Sequence, residues 1–365
     1  MNIRIFKMFL LVSVLPFITS GCNDYLDRED TSGIATSDLI WATPKAIEAV
    51  LVNMYDLGIK NEDHEYWDSG DKSTLRNPTS MSDEAQGSYQ KSPLFDNADA
   101  VYTYGDWLLN DKLTDRYKHI RNTNVFIENV ANSTILGDDD KKQLDAEARW
   151  IRAYQYFGLV KRYGGVPLLT KAQEYNPSNP SSMYVARSTE ADIYNFIIDE
   201  CNLIKDILPI TRPDAGKYRV TKGAALALIS RAGLYAGSIA KYTETLSLSG
   251  TAIAREYVGI PASEADHFFQ ASYDASYELI YGEMSSVYSL MKSSDNTPEG
   301  YTKNFYNIFS ASTNGTNGEY ILQKQYIKGK DKKGHRWDKM NAPFSIRQGG
   351  WGCGMAPVLE LVEDF

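Results

Sequence analysis

Histidine and cysteine, the residues most often recruited for metal binding and nucleophilic chemistry, are scarce in this chain. There are four histidines, His64, His119, His267 and His335, and three cysteines. No pair falls into a His-Glu-x-x-His or Cys-x-x-Cys spacing, so zinc has no ligand set of the usual kind. No Gly-x-Ser-x-Gly elbow is present to expose a nucleophilic serine. The glycines of "GGWGCG" (349–354) neither follow a strand nor open a helix, which removes the setting a phosphate cradle needs. Asp138 to Asp140 lack the alternating Asp/Asn pattern and the later Glu of a calcium loop. They suit the negative first turn of a helix and its cap instead. The chain has 47 acidic residues, but abundance alone fixes no glycosidase-like pair. The expectation is a protein that is not an enzyme and needs no cofactor or metal.

Basic charge is also in deficit, with 38 Lys and Arg against 47 Asp and Glu. Nucleic acid, whose phosphates need basic patches, is excluded as a partner, as is electrostatic binding to an anionic membrane surface. The long apolar run is at the start. Arg4 and Lys7 precede the stretch Met8 to Ile18, and Thr19, Ser20 and Gly21 follow it. That is the layout of a secretory signal, and it is shorter than the roughly 20 residues a spanning helix requires. Cys22 comes next, and "ITSGC" resembles the lipobox of bacterial lipoproteins. Residues 1–21 therefore read as a signal peptide and Cys22 as a lipid anchor, its acyl chains exceeding what one chain alone can hold. Removing Arg4 and Lys7 leaves 36 basic against 47 acidic residues, a net charge of −11. Residues 22–40 read as an extended tether. Cys201 and Cys353 fit either one disulfide in an oxidising compartment or two buried thiols.

What the chain does have is 25 Tyr and 6 Trp, rings that serve surfaces apolar on the face and hydrogen-bonding at the edge. Helical grammar runs from about 41 to 290. Thr43, Pro44 and Gly58 read as the cap, first turn and stop of one helix. A second covers 107–132. The third, from Asp138, carries two apolar rows: Leu144, Ala148, Ile151 and Leu159, and then Ala146, Trp150, Ala153, Phe157 and Val160. Two rows mean packing on both sides. Gly164-Gly165 stop it, and Pro167 prevents resumption. Further helices read as 188–208, opening on a Ser–Asp/Glu cap, 221–237, stopped by Gly237, and 266–282. Small residues at presumed crossings suggest tetratricopeptide-like packing, without a clean 34-residue repeat. From about 291 the helical pattern fades, and "NGEYILQKQY" reads as strand.

These residues carry a resemblance. The lipobox, "CNDYLD", "AEARWIRAYQYFGLVKRYGGVPL", "TKGAALALISRAGLYAG", "HFFQASYDASYELI", "NGEYILQKQY" and "GGWGCGMAPVLELVEDF" all resemble the SusD/RagB family. The resemblance implies a mostly α fold: a tetratricopeptide-like scaffold with long irregular ligand-facing loops and a few short strands. It implies a single domain over 41–365, with a mixed loop and strand region from about 291. It also implies a cell-surface lipoprotein of a Bacteroidetes outer membrane that binds oligosaccharides and passes them to a partner TonB-dependent transporter (SusC-like). The alternative within the same architecture is a peptide binder or a protein-interaction scaffold. Family members commonly continue past "LVEDF", so the chain is expected to be incomplete at its C-terminus.

The ligand residues are sought in the two aperiodic, aromatic-rich regions. Residues 61–105 hold Tyr66, Trp67, Arg76, Asn77, Tyr89 and Tyr102. Residues 291–352 hold Tyr301, Asn304, Tyr306, Arg336, Trp337 and Trp351. Trp150 and Tyr154, at helical packing spacing, read as core. Sugar C–H faces lie on such rings while Asn and Arg meet the hydroxyls. One expectation is testable at once. Labelled palmitate is incorporated into the wild type, and Cys22→Ala abolishes the label and leaves the precursor uncleaved or mislocalised. Equal labelling of both proteins would rule out the anchor.

Overall fold

In the computed structural model the described residues are 40–59, 85–87, 113–213, 218–309, 318–324, 355–357 and 359–363. Their elements are α1 (Pro44–Gly58), β1 (Ala85–Gly87), α2 (Leu113–Asn132), α3 (Asp138–Tyr163), α4 (Glu190–Ile204), α5 (Lys222–Thr243), α6 (Thr251–Ala254), α7 (Ala265–Ile280), α8 (Pro298–Ile308), β2 (Met355–Pro357) and α9 (Leu359–Glu363). The helix-rich scaffold expected from the sequence is what the chain forms. Long helices pack in chain order, α2 on α3, α3 on α4, α4 on α5 and α5 on α7, with α1 against α2 and α3.

Local chemistry explains most boundaries. The Thr43 hydroxyl accepts from Ala46 N at 3.2 Å, with Pro44 in the first turn of α1. α3 has Asp138, Asp139 and Asp140 in its first turn and Lys161 and Arg162 in its last, both favourable to its dipole. Its cap residue is Gly137 and makes no side-chain bond, so the aspartates contribute charge and not the cap. The cap of α4 is Thr189, not Ser188. Thr189 Oγ1 accepts from Asp192 N, and Asp192 Oδ2 accepts from Thr189 N, both at 3.0 Å. That closes a capping box. Gly164 ends α3 at φ +66°, and a Cβ there would lie 2.1 Å from Tyr257 O.

Three expectations are corrected. α5 does not stop at Gly237 but continues to Thr243. A Cβ on Gly233 would come within 2.6 Å of Phe268 O, and one on Gly237 within 2.6 Å of Phe269 Cδ1. The glycines are where α7 crosses α5 closely, so local breaking potential yields to packing. Second, helical structure does not end at 290. Thr297 caps α8 by accepting from Gly300 N at 3.1 Å, with Pro298 in its first turn. Third, 318–324 forms turns and bends, not a strand. The two short strands are β1 and β2, paired antiparallel with Ala85 opposite Pro357 and Gly87 opposite Met355. Pro357 therefore belongs to β2, and the last helix opens at Leu359.

The core runs along α3. Every residue of the two predicted apolar rows is buried. The stretch Lys222–Leu246 is long and apolar enough to cross a membrane by composition, but 61% of its apolar 18-residue window is buried inside the fold. α5 packs against α3, α4 and α7. Cys201 is a fully buried free thiol whose burial pushes its pKa up, and Cys353 lies outside the described residues. Ile40 and Trp41 already pack on the core, with the Trp41 ring 5.9 Å from that of Phe126.

Gly158 lies in α3 where α2 crosses it, and a Cβ there would sit 2.0 Å from Arg116 Nη1. Gly158→Leu is expected to lower stability by about 1–3 kcal/mol through overpacking. Thermal denaturation checks this, and an unchanged melting temperature would refute the two-sided packing of α3.

Candidate functional site

Two described pieces beside or within the aromatic-rich regions 61–105 and 291–352 lie next to each other. Just before the first of these regions, α1 ends at Gly58 and is capped by Ile59. The 318–324 segment, from within the second region, runs past it, and Lys324 Nζ donates to Asp56 O at 3.2 Å. Between them opens a cleft of about 420 Å³ lined by Ile59, Trp150, Tyr154, Phe157, Arg231 and Leu322 among others. A second hollow of about 240 Å³, bounded by Val52, Tyr55, Tyr218 and Gln323, adjoins it.

The cleft wall comes from α3 and α5. Trp150 is buried, its Nε1 donates to Ala224 O at 3.1 Å, and its ring stacks on Tyr154 at 5.3 Å and 13°. Tyr154 is only half-buried and faces the cleft. One turn on, Phe157 meets Tyr235 edge-on at 5.5 Å, with Lys161 Nζ 4.7 Å from its centroid. The arrangement offers apolar ring faces, with the cationic donors Arg231 and Lys324 at their margin. Tyr55 borders the smaller hollow. Its hydroxyl donates to Glu147 Oε2 at 2.7 Å and accepts from Val220 N at 3.0 Å. Burial, together with the Glu147 carboxylate, holds its phenol well above the usual range. Tyr55 is therefore a neutral wall and no base. Among the described residues lining the main cleft there is no carboxylate. Among the described residues there is also no group of three or more His, Cys, Asp or Glu that would hold a metal. The cleft can bind a ligand with apolar faces and a polar rim.

Cys22, Tyr66, Trp67, Arg76, Asn77, Tyr89, Tyr102, Arg336, Trp337 and Trp351 lie outside the described residues. Of the other residues singled out, Tyr301, Asn304 and Tyr306 stand on α8. Asn304 Nδ2 donates to Met291 O at 2.8 Å, while Tyr301 and Tyr306 are exposed. The reading of Trp150 as core holds, whereas Tyr154 is a cleft residue that the sequence reading assigned to packing. Arg231 and Lys324 were missed. Ordinary helical spacing hides the first, and nothing in the sequence places residue 324 beside residue 231.

Residues 24–234 match the family profile described as starch-binding and associating with the outer membrane, of the SusD-like group. This chain belongs to the SusD-like family. It is 20% identical over 217 residues to SusD-like protein P25 of Formosa agariphila, a match covering 58% of this chain and 40% of the relative. A solved SusD-like protein of Bacteroides fragilis superposes with a TM-score of 0.63 at 25% identity, over 90% of this chain and 54% of the other. Surface glycan-binding protein A of Bacteroides uniformis superposes at 0.59 with 18% identity, over 88% and 61%. The SusD-like chain thus spans about half the length of these relatives.

The two stacked rings are separable by mutation. Trp150→Ala is expected to cost about 3–5 kcal/mol, the range for a buried Trp. Tyr154→Ala should cost less than half of that, because its ring is already partly in water. Denaturant titration of both variants checks the assignment, and equal losses would return Tyr154 to the core.

Proposed function

We propose that this SusD-like chain is a lipoprotein of the outer membrane, anchored through Cys22 and facing outward. On this reading it captures oligosaccharides and hands them to a partner TonB-dependent transporter of the SusC type. One observation carries the reading. The aromatic cleft of Tyr154, Phe157 and Arg231 opens beside Ile59 at the end of α1 and residues 321–324. Its ring faces and cationic margin suit a sugar, each sugar face covering an aromatic plane and each hydroxyl meeting an edge group.

The comparisons support the ligand class. The family is described as starch-binding, and the Bacteroides uniformis neighbour is named for glycan binding. The described cleft lining lacks the paired carboxylates that glycoside cleavage uses, which supports a reading of binding without cutting. The lipobox and the family together support anchoring through Cys22 and partnership with a transporter. Copurification of the barrel from outer membranes with the wild type, and not with Cys22→Ala, is the expected sign of both.

The ligand residues of the two regions are Trp67 and Trp337 foremost, with Tyr66, Arg76, Asn77, Tyr89, Tyr102, Arg336 and Trp351 around them. Trp67→Ala and Trp337→Ala should each weaken oligosaccharide binding by about 1–3 kcal/mol, the scale of one hot-spot ring. Melting temperature should barely move. Titration calorimetry measures the loss, and wild-type affinity in both variants would place the site elsewhere.

A further inference from the structure

A second groove lies away from this cleft, between α4 and α7. Both helices pack on α5 and leave about 490 Å³ between themselves. Its floor is already dry: Ile198, Leu226, Ile229 and Ala275 are all buried. Its walls are polar. Asp199 and Asn202 stand on α4, Gln270 and Asp274 on α7. Two cross-links hold the helices at a fixed separation. His267 Nε2 meets Asn195 Oδ1 at 3.0 Å, and Lys205 Nζ meets Glu278 Oε2 at 3.5 Å.

A row of rings runs beside the groove. Tyr273, Tyr277 and Tyr281 recur one turn apart, with centroids 6.0 and 5.3 Å apart. They are 61%, 52% and 72% exposed. Tyr273 and Tyr277 each precede a groove residue, Asp274 and Glu278, so the rings lie one step of about 100° round the helix from the groove wall. They stand on the side away from the buried Phe268, Ser272 and Ala275. Three tyrosines on the water side of a helix contribute nothing to the core, and scattered exposed apolar residues do not fall into such a row.

We infer that the α4–α7 groove with its tyrosine row is a second oligosaccharide-binding surface, separate from the cleft of Tyr154 and Arg231. The inference rests on the glycan-binding reading above. The chemistry favours a sugar over a protein partner. A docking helix gains chiefly by burying large exposed apolar side chains, and the apolar floor residues here, Ile198, Leu226, Ile229 and Ala275, are each already buried in the fold. A polyol needs the reverse: amphipathic rings beside amides, which donate and accept, and carboxylates, which accept. With Lys205 paired to Glu278, the charges left on the wall are those of Asp199 and Asp274. A neutral sugar meets no repulsion there, and an anionic ligand does.

The test is titration calorimetry of the full chain with maltoheptaose and with laminariheptaose. Wild type is expected to show two classes of site for at least one of them. Tyr273→Ala/Tyr277→Ala/Tyr281→Ala should weaken one class about tenfold or more, the effect of losing about 1.4 kcal/mol or more of ring contact. Asp199→Ala/Gln270→Ala should weaken the same class, and Trp67→Ala/Trp337→Ala the other. All substituted α4 and α7 residues are exposed, so melting temperatures should hold. One class of site, untouched by the tyrosine variant, would overturn this inference and leave the proposed function standing. No binding of either sugar by wild type would overturn both. Loss of transporter copurification in the tyrosine variant, with sugar binding unchanged, would assign the face to a protein and overturn it as well.

Discussion

Glu147 has no exposure to water, and the scaffold is organised around that carboxylate. Arg219 reaches it with Nε and Nη2, each at 2.8 Å, Arg212 Nη2 at 2.8 Å and the Tyr55 hydroxyl at 2.7 Å. One buried side chain thereby joins α3 to α1 and to the connection between α4 and α5. A few residues on, Arg152 is almost as deep and donates to Glu200 at 2.6 Å and Asn124 at 2.7 Å. Arg149 donates to the other Glu200 oxygen at 2.9 Å. That second cluster fastens α3 to α4 and α2. Buried charges are costly to desolvate, and removing one partner strands the others at about 3–5 kcal/mol. Such groups tolerate only a registration of helices that satisfies them together.

This network gives the "AEAR" stretch its meaning. Ala146 and Ala148 are fully buried and small, which lets neighbouring helices come close. Glu147 and Arg149 between them pin those neighbours in place. The exit of α3 works in the same spirit. Gly165 passes so near Ser188 O that a Cβ would lie 2.1 Å from it, and Pro167 O accepts from Tyr117 at 2.6 Å. The "AEAR" stretch is thus a device for holding helices.

A rigid stack also explains how the cleft keeps its shape. Trp150 is held by its bond to Ala224 O, and Tyr154 stacks on it. The cleft wall is therefore fixed before any ligand arrives, which lowers the ordering cost of binding. The tyrosine row on α7 is carried by a helix whose register is set by glycine crossings on α5 and by the His267 and Lys205 links to α4. The described surfaces differ in character, one concave and aromatic-walled, the other a polar groove with rings on its lip.

The sequence by itself determined most of the long helices. Apolar spacing, Thr43 with Pro44, the aspartates of the first α3 turn and Gly164 act within a few residues, and their effects are visible in the order of letters. It also showed, through the two apolar rows of α3, that this helix is covered on two sides. What it could not show was anything settled by distant partners. Gly237 is a helix breaker by propensity, yet α5 runs through it because Phe269 needs that space. The strand expected within 317–326 has no partner among the described residues, whereas Ala85 to Gly87 gain one from Met355 to Pro357, far away in the chain. Tyr154 reads as core from its spacing, and only the open space beside residues 321–324 makes it a cleft wall. Local interactions are written in sequence distance. Clefts and buried charge clusters depend on through-space distance, and only the packed helices decide that.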